Sequence, residues 1–281
     1  MSTPGFTQRW RNGTHRWRTT AGPTFNPDRY SVSELDSILA EEFCVRHHYS
    51  AAWPATKYRF GLFDLHAYEP QLVGVVALGI PMSNQVLTNP FPTLVPNEES
   101  LELSRLVLLD SVAMNGESWF CARVFARAAE HGVRGLVSFA DPVPRWRIIE
   151  GRTEMIKPGH IGIVYQALNF DYLGRSTRRT LTLLPDATVL TARAQAKVTG
   201  GERGRNGVVA RLVTLGAAPP HPDEDLAQWL ATALRAIGAR RQRHPGNHRY
   251  AIRLGRTRGE RTRTTIGMAT GPYPKPRLAA A

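Results

Sequence analysis

The sequence predicts an α/β or α+β layer, a central mixed sheet flanked by helices, with a basic extension at each end. Three observations point there. Apolar runs of strand length alternate with stretches of helical period across residues 31–190. An apolar share of 42% is that of a chain able to bury a core. Charge is segregated: five Arg stand against one Asp in residues 1–29, and ten Arg plus one Lys against one Glu in 238–281. The net +13 therefore leaves the middle of the chain close to neutral.

The elements follow in order. Residues 31–49 open with Ser31 and, three residues on, Glu34, a capping-box pattern. Leu35, Ile38, Leu39 and Phe43 then recur at helical spacing. "YRFGLFD" (58–64) and "QLVGVVALGIP" (71–81) read as paired strands, and "SLELSRLVLLD" (100–110) as a third apolar run. "MNGESWFCARVFARAAEHG" (114–132) is a helix stopped by Gly132, and "VRGLVSFADP" (133–142) a buried strand ended by Asp-Pro. A helix is expected from about Ile161 to Leu168, and a hairpin, or a strand with an extended turn, over 178–190. This divides the chain into a basic arm (1–29), a catalytic domain (30–190), a linker with a helical extension (191–237) and an Arg-rich tail (238–281).

Two cysteines, Cys44 and Cys121, are too few for a disulfide framework and lack metal-ligand spacing. No leader pattern opens the chain, and no apolar run reaches the roughly 18 residues of a membrane span. The expectation is a cytoplasmic protein with no membrane partner. Blocks of like charge are usually solvated tails. The competing reading is a footprint for a polyanion, and Arg in place of Lys suits bidentate phosphate contact. On that reading Arg240, Arg241 and Arg243 contact double-stranded DNA. Arg145 and Arg147, beside Trp146 in the segment 143–158, offer both phosphate contact and a stacking face; a solvated surface insertion is the alternative. Asn115, Gly116 and Ser118 place backbone N–H groups at a helix start; a capped helix after a turn is the plainer reading of this stretch, and a bound phosphate the alternative.

Strand, Gly-containing turn, helix, strand and a helix ending "YQALNF" resemble the acyl-CoA N-acetyltransferase (GNAT) superfamily. The phosphate turn departs from that superfamily's R-x-x-G-x-G/A, reading "DSVAMNGES" instead. More narrowly, "HHYSAA" (47–52), "ELSRLVL" (102–108), "NGESWF" (115–120), "LVSFADP" (136–142) and "GHIGIVYQALNFDYLG" (159–174) are together similar to the Mom family. Those are phage proteins that convert adenine in DNA to its carbamoylmethyl (acetamido) derivative, protecting phage DNA from restriction. The resemblance implies a GNAT-like fold and a CoA thioester, acetyl-CoA or a relative, as cofactor, with iron a further possibility through His48 and Tyr49. It implies catalytic roles for Asp141, Tyr165, Ser104, Arg105, His48, Tyr49, Ser138 and His160, and cofactor contacts for Asn115, Gly116, Ser118 and Asn169. Tyr165 would direct its hydroxyl at the cofactor sulfur; anchoring of its helix to the core is the plainer role. Two other classes fit the same residues: an N-acetyltransferase for a protein or small-molecule amine, and a non-enzymatic DNA-binding protein.

Overall fold

The computed structural model describes residues 6–11, 14–19, 24–50, 52–66, 68–149, 152–157 and 159–275. Parts of both expected arms, 1–5, 12–13, 20–23 and 276–281, lie outside the described residues. The chain divides into two compact units, one of residues 1–142, 158–176 and 247–281 and one of residues 143–157 and 177–246.

The first unit holds a hairpin, β1 (Phe6–Arg11) and β2 (Thr14–Thr19), and a seven-stranded mixed sheet. The sheet strands are β3 (Tyr30–Glu34), β4 (Thr56–Asp64), β5 (Gln71–Gly79), β6 (Ser100–Leu108), β7 (Gly135–Ala140), β10 (Asp171–Arg175) and β14 (His248–Arg253). Their spatial order is β10-β14-β7-β6-β5-β4-β3, antiparallel throughout except for β6 and β7. The helices are α1 (Ser37–His47), α2 (Gln85–Thr88), α3 (Gly116–Glu130), α4 (Ile163–Ala167) and α8 (Arg258–Arg263). The expected mixed sheet flanked by helices is therefore present.

Helix α3 earns its place by amphipathy: Phe120, Cys121, Val124, Ala128 and Ala129 are buried against Leu101, Leu103 and Leu136 of the sheet. Helix α1 covers other strand residues, with Leu35, Ala40, Phe43 and Cys44 packed beside Val75 and Val107. Its start corrects the capping-box expectation. Ser31 and Glu34 lie in β3, because Tyr30 and Val32 alternate along a strand that pairs with β4. The cap is Asp36, whose carboxylate accepts from the N–H groups of Ile38 and Leu39 at 2.8 and 3.4 Å. Ile38 and Leu39, two of the residues at helical spacing, are 65% and 52% exposed.

The second unit contains a hairpin, β8 (Arg145–Ile149) with β9 (Arg152–Lys157), and a three-stranded sheet of order β12-β11-β13. Those strands are β11 (Arg179–Leu183), β12 (Val189–Leu190) and β13 (Arg240–His244). The helices α5 (Ala192–Thr199), α6 (Arg205–Thr214) and α7 (Leu226–Ala236) share a core of Val198, Leu212, Trp229, Leu230 and Ala233. Residues 191–237, expected as a linker with a helical extension, hold these three packed helices. The expected hairpin over 178–190 forms as β11 and β12, inside this unit.

The larger correction concerns the tail. Residues 240–244 and 248–253 are strands, and β14 is an inner strand of the main sheet between β7 and β10. Its Tyr250 and Ala251 are fully buried. The strand was hidden inside an Arg count, although Arg249 sits between buried His248 and Tyr250.

Two left-handed glycines give a test of the packing. Gly162 (φ +78°) precedes α4, and a Cβ there would lie 2.8 Å from ring atoms of both Tyr165 and Tyr250; Gly174 (φ +75°) has open space around it. Gly174→Ala should cost only the left-handed penalty, about 1–2 kcal/mol. Gly162→Ala adds the clash, so its unfolding midpoint, read by calorimetry, should fall about twice as far.

Candidate active site

The site begins where the sheet comes apart. Strands β6 and β7 pair at three positions only, Ser100 with Gly135, Leu101 with Leu136 and Glu102 with Val137. Beyond these, β6 stays bonded to β5 as far as Leu108 and β7 to β14 as far as Ala140. The two strands therefore diverge from one another while each keeps its outer neighbour. The divergence has a local cause. Across β5 the register runs from Ala77–Arg105 to Leu78–Leu103, leaving Ser104 as an extra, bulged residue. Gly79 makes the room, because a Cβ at that position would collide with the Ser104 hydroxyl.

Just past the last pair, Ser138 is fully buried on β7 and its hydroxyl donates to the Leu103 carbonyl across the gap at 3.2 Å. Tyr165 reaches the same spot from α4. Burial pushes its phenol well above the ordinary tyrosine range, while a hydrogen bond with the Ser138 side chain opposes the shift. The Tyr165 ring is fixed by Phe170 and Tyr250, each with a ring centroid 5.3 Å away, and Phe170 meets Phe125 edge-on at 5.8 Å. Tyr250 donates to the Ile161 carbonyl, and the Gln166 amide donates to the Tyr250 oxygen at 3.2 Å. Tyr165 is thus both an anchor and a hydroxyl aimed at the parting strands.

Arg105 acts as a clamp. Its Nε and Nη2 donate to the Ala52 carbonyl at 3.1 and 2.9 Å, and Nη1 to the Ser104 carbonyl at 2.7 Å. The chain following α1 is thereby fastened to the bulge. That chain carries His48 and Tyr49, whose rings lie 4.1 Å apart. The Ser50 N–H donates to His48 Nδ1 at 3.1 Å, so Nδ1 is the acceptor and a neutral ring carries its proton on Nε2. Tyr49 and Glu102 both raise the Tyr165 phenol electrostatically, which places them in its neighbourhood. Glu102 itself is held above the usual carboxylate range by burial, with Arg105 opposing.

Asp141 and His160 meet through the backbone: the His160 N–H donates to the Asp141 carbonyl at 2.8 Å. The insertion 143–158 therefore leaves and re-enters at a pinned neck, as the β8–β9 hairpin. At the other candidate, Asn115 is left-handed (φ 69°) and caps α3 without a side-chain bond, and the Ser118 hydroxyl donates to its carbonyl at 3.0 Å. Gly116 is required by Val112, which would meet any Cβ. Asn115 and Ser118 line a hollow of about 450 Å³ with Thr24, Phe25, Trp119, Ala122 and Arg123, and the Arg123 guanidinium stacks over Trp119 at 4.0 Å. Asn169 (φ 59°) is exposed, follows α4 and does not line that hollow.

In the second unit, Arg145, Trp146, Arg240 and Arg241 come together around a hollow of about 280 Å³. Arg147 is ion-paired to Glu154 at 2.7 Å. Arg243 is exposed on β13 and outside that hollow. No group of three His, Cys, Asp or Glu with metal-ligating geometry occurs among the described residues, so the iron expectation finds no donor set. Cys44 and Cys121 are buried free thiols, Cys44 pushed up to about 12 by burial. Sequence reasoning missed Glu102, Gln166, Trp119, Arg123 and Tyr250. Glu102 opens a quoted motif and was readable as a lone acid in an apolar strand; Tyr250 carried no signal beyond its Arg-rich surroundings.

These features define a class, an α/β protein whose mixed sheet parts beside a buried tyrosine. A profile described as the Mom protein family matches residues 29–275. The chain belongs to the Mom protein family. No curated protein matches it. Among solved structures it is similar to a GNAT family N-acetyltransferase (YhbS) from Escherichia coli in complex with CoA. That pair is 13% identical with a TM-score of 0.33, covering 54% of this chain and 72% of the other. It is also similar to a tandem GNAT protein from the clavulanic acid biosynthesis pathway (10%, TM-score 0.32, 81% and 75%) and to AtaTR bound with AcCoA (15%, TM-score 0.26, 51% and 85%). No helix among the described residues is long and apolar enough to cross a membrane.

Because the folded state keeps Tyr165 protonated, ionisation favours the unfolded chain once pH exceeds the ordinary tyrosine pKa of about 10. Stability contributed by this burial is complete below that pH and is lost as pH rises toward the folded value. In thermal unfolding between about pH 9 and 11, the wild type should lose stability more steeply than Tyr165→Phe. Parallel curves would mean that the phenol is solvated.

Proposed function

We propose that the protein is an enzyme that modifies adenine in DNA, with the parted β6–β7 strands and Tyr165 as its chemical centre. The match to the Mom family over residues 29–275 carries this reading, and the geometry supports it by gathering the family-like motifs. "HHYSAA", "ELSRLVL", "SFADP" and "GHIGIVYQALNF" all converge on one place, through the Arg105 clamp, the Ser138 hydroxyl and the Asp141–His160 neck.

The residues present fit a CoA thioester. The split beyond Glu102 and Val137 leaves strand edges without a partner strand, where an extended arm with amide groups would bond. The Tyr165 and Ser138 hydroxyls would then serve to stabilise its sulfur or a developing negative charge. The uncapped first turn of α3, with Arg123 nearby, suits the phosphates. A bound thioester supplies an activated two-carbon acyl group. The carbamoylmethyl product joins nitrogen to a CH₂ and not to a carbonyl, so simple acyl transfer does not make it.

The chain's own part is to present the amine. Asp141, at the neck, would orient or deprotonate the adenine amino group. That amine is paired within a duplex, so the base must leave the stack. Among the aromatics at or beside these motifs, Phe139 packs into the Phe91 and Leu173 cluster and Trp53 onto the cluster of Phe43 and Val75. Tyr49 is half-buried beside His48 and is the aromatic we assign to the flipped base.

Plasmid DNA from cells making the protein should yield a deoxyadenosine about 57 Da heavier, as expected for one carbamoylmethyl group on a base taken out of the stack. Tyr165→Phe and Asp141→Asn should each lower the modified fraction by about 10²–10⁴, the range for losing a positioned acid–base group. Nucleoside mass spectrometry reads both. Soluble protein with unmodified nucleosides would contradict the assignment, and an acetylated protein or small amine would favour the N-acetyltransferase reading.

A further inference from the structure

The second unit contains a surface that the chemistry of the first does not use. Residues 143–157 and 177–246 hold 15 Lys and Arg against 7 Asp and Glu. The first unit, residues 1–142, 158–176 and 247–281, holds 21 against 16. The second unit thus carries the larger excess of positive charge in the smaller number of residues, which suits a polyanion. Within the second unit most basic residues with close acidic neighbours are spoken for. Arg147 pairs with Glu154, Arg193 with Glu202 and Arg211 with Asp186. Arg240 and Arg241 are exposed and form no ion pair among the described residues.

Those two arginines lie where β13 faces the hairpin, in the hollow lined by Pro144, Arg145, Trp146, Arg240, Arg241 and Gln242. Trp146 is 44% exposed, which is uncommon for an indole that only packs. The Arg147–Glu154 bridge on the next residue pair holds the hairpin register, and with it the indole. An exposed flat aromatic flanked by unpaired guanidinium groups is the combination that binds unpaired nucleotides: bases stack on the ring while arginines follow the phosphates. Gln242 adds an amide able both to donate to and accept from a base edge.

We propose that this hollow is a binding site for a DNA strand with an unpaired base, in which Trp146 stacks the base and Arg240 and Arg241 hold the adjoining phosphates. The proposal rests on the reading of DNA as substrate only for the choice of DNA over RNA. It assigns the second unit the task of gripping DNA that has been locally unpaired.

The test uses the full chain and fluorescence anisotropy with a labelled single-stranded DNA of about 12 nucleotides, within the span such sites cover. Trp146→Ala should weaken binding by about 5- to 100-fold, whereas Trp146→Phe, which keeps a stacking face, should stay close to wild type. Arg240→Ala with Arg241→Ala should lower affinity and reduce the slope of log K against log salt by about 1.4, two phosphate contacts on a single strand. Circular dichroism of each variant checks that it is folded. Unchanged affinity and slope in folded variants would overturn the proposal. So would equal loss of DNA and heparin binding in the arginine variant with no effect of Trp146→Ala, which would describe a general polyanion patch. If the strand site behaves as stated while adenine stays unmodified, the activity reading fails and this site stands.

Discussion

The structure depends on one interruption in hydrogen bonding. After Glu102 and Val137, β6 and β7 stop pairing, and the seven-stranded sheet becomes two halves joined at one end. An interruption inside a sheet is costly, since each unpaired N–H and C=O must find another partner. The Ser104 bulge, tolerated because position 79 is glycine, steers β6 away. The Ser138 hydroxyl then satisfies the Leu103 carbonyl at the point of separation. The rest of the site hangs from that opening.

Rigidity around the opening comes from aromatic packing and from backbone clamps. Tyr165 is set by Phe170, Tyr250 and the bare left-handed Gly162, so its hydroxyl has little freedom. Arg105 directs three hydrogen bonds to carbonyls, two of them to Ala52, and so works as a fastener of the His48–Tyr49 segment. The same residue keeps a positive charge near Glu102, which burial would otherwise push further toward its neutral form. Positioning and electrostatics are here supplied by the same side chains.

Much of this was legible in the sequence. The apolar runs of β4 to β7 and the amphipathic α3 are strong periodic signals, and the helix around Tyr165 was found because tyrosine and phenylalanine flank its end. The misses have physical causes. Ser31–Glu34 imitates a helix cap, but alternation and pairing with β4 decide the strand. Residues 240–253 looked like a solvated basic tail because composition counts charge and ignores facing; β14 buries Tyr250 and Ala251 and exposes the arginine side chains only in part. Residues 191–237 lack long apolar runs, so three short helices that share one core read only as a linker with a helical extension. At the site, Ser138, Tyr165 and Asp141 came from motif order, whereas Glu102 and the Arg105 clamp depend on a bulge no local pattern announces.

The central claim is that the gap between β6 and β7 is a slot for an extended thioester arm. Hydrogen exchange read by mass spectrometry, with and without acetyl-CoA or CoA, tests it most directly. Backbone amides within residues 103–108 and 138–141 should gain protection on addition of the ligand, with peptides from β3 and β4 unchanged. Protection confined to other segments, or none at saturating ligand, would contradict the account.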